Sequence, residues 1–225
     1  MKRIIKYIAL LFCALMATSS VASDDIQYWA NFQFEKKLME RLKLKGEESL
    51  WYDDDRFFLT ETIFLLEAEV FDWLSIAAGD RFCDERELED GKMRWSYEHR
   101  PTAELIFKYE YEGFRFDWRC RFGYRDKEDT RKNYIRYRER FRVRTPWEWT
   151  EWKISPFASW EMYIEDKPGL GTGEMFNKSR SILGFTMEPY ENVQVSLFYA
   201  VEHHRDEDTG WYPIHTPGID IKYTF

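Results

Sequence analysis

The residues most regularly spaced for chemistry are arginines. Arg136, Arg138, Arg140, Arg142 and Arg144 occupy every second position of one segment, and Arg115, Arg119, Arg121 and Arg125 keep a common parity in the segment before it. On a helix a spacing of two would scatter these side chains around the cylinder; on a strand it gathers them into one column. Guanidinium forks suit carboxylates, sulfates and phosphates. Two neighbouring strands so loaded make a basic wall, which would concentrate anions in a pore and set its selectivity. The expected pore-lining set is Arg115, Arg119, Arg121, Arg136, Arg138, Arg140 and Arg142, with Glu61 and Glu67, joined by Glu69, as an opposing acidic wall. The competing reading is structural. Buried charge is costly unless paired, and Glu98, Glu104, Glu110, Asp117 and Glu161 would neutralise the wall as an internal network.

A second cluster lies near the end of the chain. His203, His204 and His215 are spaced around Asp206, Glu207 and Asp208. This supports an alternative function, an enzyme hydrolysing lipid or peptide at an external rim. No serine lies in that loop, and a His–acid cluster alone is not a nucleophile system, so no catalytic residue is assigned. The spacing matches no metal-site pattern, and no cofactor is expected. Gly169, Gly171 and Gly173 lack a surrounding βαβ unit and read as a loop instead of a nucleotide cradle.

The elements that would position the arginines are strands. Phe114, Phe116, Trp118, Cys120, Phe122 and Tyr124 alternate with the first arginine set. The same period of two recurs at 26–37, 42–52, 57–70, 74–83, 95–110, 152–164, 177–188, 193–203 and 218–225. Short turns near 39–40, 71–73, 112–113 and 189–192 alternate with longer loops at 53–55, 84–94, 126–132, 168–173 and 204–212, most of them charged. That alternation predicts an all-β fold: an antiparallel transmembrane β-barrel of about ten to twelve strands, with short periplasmic turns and longer extracellular loops. The pattern counts eleven strands where an even number is expected. Either the first segment is extra to a ten-stranded barrel or a twelfth strand is present. Trp73, Trp147, Trp149, Trp152 and Tyr190 suit one interfacial aromatic girdle, and Trp51, Tyr124 and Trp211 the other.

The flanks carry expectations of their own. A basic start, an apolar run from Tyr7 to Met16 and Ser20-Val21-Ala22 read as a cleaved signal peptide over residues 1–22, leaving one barrel domain over 23–225. The last strand puts Ile219, Ile221, Tyr223 and Phe225 on one face, which resembles the carboxy-terminal signal read by the barrel-assembly machinery. The expected location is therefore the outer membrane, with outer-membrane lipid and lipopolysaccharide as surroundings and small anionic solutes as partners. A net charge of −8 argues against nucleic acid. Aromatic residues at 19% exceed ordinary usage and fit interfacial girdles. Cys83 and Cys120 fall on strands separated by a third, roughly 10 Å apart and facing opposite ways, so no disulfide is expected.

Four short segments carry a family resemblance: Gln27-Tyr28-Trp29, Asp72-Trp73-Leu74-Ser75, Glu98-His99-Arg100-Pro101 and Arg136-Tyr137-Arg138. Together they resemble domain of unknown function 2490, outer-membrane barrels of Gram-negative bacteria. The resemblance covers the chain beyond the signal segment. It implies the fold and the location and no activity.

Overall fold

A computed structural model describes residues 26–53, 56–89, 92–127, 133–166, 175–206 and 210–225. The expected signal peptide lies outside them, as do Gly169, Gly171, Gly173, Glu207 and Asp208. Eleven strands follow in order: β1 (Gln27–Met39), β2 (Leu42–Asp53), β3 (Arg56–Phe71), β4 (Leu74–Glu89), β5 (Lys92–Tyr111), β6 (Phe114–Lys127), β7 (Tyr134–Arg144), β8 (Ser155–Asp166), β9 (Phe176–Tyr190), β10 (Val193–Asp206) and β11 (Gly210–Thr224). Each pairs antiparallel with the next, and β1 closes on β11 to complete a barrel.

Closure resolves the strand count, and it corrects the even number expected from sequence. In an up-and-down meander of eleven strands the first and last run in the same direction, so their pairing must be parallel. It is: Trp29 lies opposite Gly218 and Glu35 opposite Thr224. β1 is thus the closing strand, and there is no extra segment. Without this pair two long edges would stand open, and no unpaired backbone group is tolerated in hydrocarbon.

The strands also run longer than the loops read from sequence allowed. β4 and β5 stay in register from Leu74–Phe107 to Glu89–Lys92, so the charged stretch at 84–94 is mostly paired strand. Likewise His204 to Tyr212 belongs largely to the β10–β11 ladder. Polar side chains hid these extensions, because beyond the membrane a strand need not present an apolar face. The tight β5–β6 connection is a two-residue turn with positive φ at both Glu112 and Gly113, the geometry that suits the right-handed twist of a hairpin.

The outward face is apolar and aromatic. Trp73 in the β3–β4 turn and Phe107, Trp118, Phe141 and Trp160 on β5 to β8 form a stacked row, with successive ring centroids 6.2, 4.9, 5.5 and 6.4 Å apart. Polar groups on this face satisfy one another locally. Glu48 accepts from Thr60 and Thr62, each at 2.5 Å; His99 meets Asp80 at 2.8 Å; Tyr199 meets His215 at 2.7 Å; and Tyr137 donates to Glu139. Trp73, Trp147, Trp149 and Tyr190 are exposed at the turn end, and Tyr124 and Trp211 at the loop end. Trp51 departs from its expected girdle position. It is buried in the lumen, stacked on Trp29 at 4.7 Å, and its parity with Lys43 and Lys45 on β2 was the signal. Cys83 faces inward and Cys120 outward, and both are free thiols.

Gly218 sits where the closing pair begins, beneath the Phe198 ring. A Cβ there would also come within 2.8 Å of the Trp29 carbonyl oxygen. Gly218→Val is expected to cost about 1–3 kcal/mol by overpacking. It should lower the urea midpoint of the heat-modifiable barrel band, whereas a wild-type midpoint would show that the seam shifts freely.

Candidate functional site

The inward faces of all eleven strands surround a cavity of about 940 Å³ that runs along the barrel. Its lining reaches from Glu85, Arg205 and Tyr212 near the loop end to Arg144, Gln194 and Lys222 near the turn end. The two halves differ in how their charges are satisfied.

The half toward the loops is a lattice of matched ions. Glu161 takes Arg138 at 2.7 Å on Oε1 and Arg180 at 3.3 Å on Oε2, and Tyr163 also donates to Oε2 at 2.9 Å. Glu202 binds Arg180 and Lys178 and meets His204 at 2.9 Å. Glu98 holds Arg100 at 2.6 Å and also Arg125; Glu165 holds Arg136, with Arg125 at 3.4 Å. Glu61 meets Arg81 at 3.1 Å and Arg100 at 3.7 Å. Glu98, Glu161, Glu165, Glu202 and Arg180 are almost completely buried, so this layer narrows the lumen. Arg180 is also boxed by aromatic faces, 4.8 Å from the Trp29 ring, 5.2 Å from Trp51 and 5.8 Å from Tyr163. Trp29 and Trp51 come from β1 and β2, beyond the β10–β11 pair, so the guanidinium ties β9 to the closing strand through the lumen.

The half toward the turns is basic. Glu35 is flanked by Lys222 at 2.8 Å and Lys43 at 3.0 Å, and Glu67 by Lys45 and by Lys108 at 3.5 Å. Two lysines thus share each carboxylate. Higher on the wall, Arg121 binds Glu104, with Arg119 at 3.9 Å from the same oxygen. Among the described residues no carboxylate oxygen lies within 4.0 Å of the guanidinium nitrogens of Arg140, Arg142 or Arg144. Arg142 stands over the Phe157 ring at 4.1 Å, and Arg144 donates to Gln194 at 3.3 Å.

The expected pore-lining residues therefore separate into groups. Arg119, Arg121, Arg136, Arg138, Arg140 and Arg142 face the cavity, and Arg144 joins them. Arg115 does not. Its side chain is 60% exposed at the turn-end rim, 4.0 Å from Glu110, because β6 begins there. Glu61 and Glu67 line the cavity, but each is tied to cations beside it, so the opposing acidic wall is locally neutralised. Sequence reasoning missed Arg81, Arg100, Lys178, Arg180, Glu165 and Glu202; strand parity was the available signal for each. The histidine cluster is split by the same parity: His204 points into the lumen against Glu202, whereas His215 sits outside against Tyr199. No group of three metal-ligating side chains occurs among the described residues. Ile219, Ile221 and Tyr223 share the outward face of β11, paired with Leu197, Val195 and Val193.

A closed sheet with an apolar exterior, aromatic rims and a charged lumen defines a transmembrane β-barrel of the outer-membrane type. The family model for a protein of unknown function, DUF2490, matches residues 26–212, and the chain belongs to that family. Among solved structures, the fold is similar to LpxR from Salmonella typhimurium, with a TM-score of 0.51 and 12% identity over 86% of this chain and 87% of that one. No curated protein matches the sequence.

Removing Glu161 would leave Arg138 and Arg180 without their shared carboxylate in a buried site. Glu161→Ala is expected to destabilise the barrel by about 3 kcal/mol, against nearly nothing for the exposed Arg115→Ala. Equal urea midpoints for the two variants would show that water replaces the lattice.

Proposed function

We propose that the protein is a narrow passive barrel in the outer membrane that admits small anionic solutes to its lumen. In this reading the 1–22 segment is a cleaved export signal. The barrel-assembly machinery reads Ile219, Ile221, Tyr223 and Phe225, the turns face the periplasm, and the outward aromatics meet lipid and lipopolysaccharide.

The observation that carries the reading is the set Arg140, Arg142 and Arg144, which faces the cavity and has no carboxylate partner among the described residues. A wall used only for structure would be neutralised as Arg138 and Arg180 are. An unpaired cationic wall beside lumen water lowers the energy of an anion there and raises that of a cation. The turn-end lysines extend this potential to the rim. The ion-pair layer in the loop half limits what passes to small solutes, because widening it separates buried charges.

Planar-bilayer recording of the purified chain tests the proposal. The wild type should give small, anion-preferring steps. In Arg140→Ala/Arg142→Ala the reversal potential under a salt gradient should move toward zero, the anion preference falling several-fold. A wild-type barrel that carries no current, or a double variant with unaltered selectivity, would remove the support for conduction.

A further inference from the structure

The basic wall is not uniform, and one part of it has the form of a discrete binding site. β6, β7 and β8 lie side by side, and their register sets two adjacent inward rows: Arg119–Arg140–Glu161 and Asp117–Arg142–Ser159. Neighbouring rows on one face are roughly 7 Å apart and neighbouring strands roughly 5 Å. The bases of Arg119, Arg140 and Arg142 therefore bound a patch that one small anion can span.

Three donors in this patch are unused. Arg119 Nε and Arg140 Nε are buried and have no hydrogen-bond partner, and the Ser159 Oγ is buried and unpartnered as well. Glu161, next to Arg140 in register, is already engaged by Arg138 and Arg180. Glu104 is held closely by Arg121 and reaches Arg119 Nη1 only at 3.9 Å, leaving Arg119 Nε free. Buried donors left without acceptors are costly, and native structures rarely leave several together. One acceptor that offers oxygens in several directions would satisfy these donors together.

We infer that Arg119, Arg140, Arg142 and the Ser159 hydroxyl form a binding site for a tetrahedral oxyanion, a phosphate or sulfate group carried by a small solute. A tetrahedral dianion presents separate oxygens to two guanidinium forks and a hydroxyl, which a chloride ion cannot do. The Phe157 ring, 4.1 Å from the Arg142 guanidinium carbon, seats that side chain by a cation–π contact. Besides Glu35, Glu67 and Glu104, the acidic groups facing this half of the lumen are Asp117, Asp220 and Glu47. They oppose an anion, but the paired lysines around Glu35 and Glu67 keep the half positive. The site deepens the anion reading given above, and it stands whether or not the lumen conducts.

Titration calorimetry on the full chain in detergent, with inorganic phosphate as the probe at fixed ionic strength, tests the site. One phosphate should bind per barrel, in preference to chloride. Arg140→Gln and Arg142→Gln should each weaken binding on the order of tenfold, as expected for loss of a charged hydrogen bond. Ser159→Ala should weaken it by a smaller factor, and Arg115→Gln should leave it unchanged. Arg140→Lys keeps the charge without the fork and should lose the preference for phosphate over chloride while the barrel band stays heat-modifiable. Absence of saturable binding, equal binding of chloride, or wild-type affinity in a folded Arg140 or Arg142 variant would overturn the inference. A barrel that binds phosphate and carries no current would keep this site and remove conduction alone; one that conducts without saturable phosphate binding would do the reverse.

Discussion

The structure depends on closing a sheet so that no backbone donor or acceptor is left at an edge. In hydrocarbon an unpaired strand edge is untenable, so the first and last strands must meet. With eleven strands they can meet only in parallel. The seam is supported by what surrounds it: Gly218 leaves room for the Phe198 ring, which lies edge-on to Trp29 at 5.1 Å. Trp29 stacks on Trp51, and Arg180 covers both. A charged side chain from β9, two strands from the seam, thus braces the pair that completes the barrel.

That brace explains why so much charge can sit inside a small barrel. Arg180 would be costly to bury alone, but Glu161 and Glu202 neutralise it, and each of those carboxylates serves a second cation. Closure and the ion lattice are therefore coupled. The aromatic rings that seal the seam also seat the guanidinium, and the carboxylates that seat the guanidinium organise β7, β8 and β10. The price of that rigidity is a narrow lumen in the loop half. In the turn half Arg140, Arg142 and Arg144 lie beyond ion-pair distance of every described carboxylate, and there they remain available to a solute.

The lipid-facing side follows a simpler rule. Several polar residues there are paired within the same face, as Glu48 is with two threonines and Asp80 with His99. Local pairing lets the outward surface carry charge without breaking the apolar band.

Much of this was legible in the chain. The period of two fixed the strands, the inward parity of Arg119, Arg121, Arg136, Arg138, Arg140 and Arg142, and the opposed directions of Cys83 and Cys120, because side-chain alternation is a property of extended backbone itself. The same parity could have placed Trp51 and Arg180 in the lumen. Three things were decided only by the tertiary structure: the parallel seam, the continuation of β4 and β5 through charged sequence, and the division of the arginines into paired and unpaired. Each depends on register around the whole barrel and on contacts across its lumen, between residues as distant in sequence as Trp29 and Arg180. Local alternation says which way a side chain points; only the closed sheet says what it meets there.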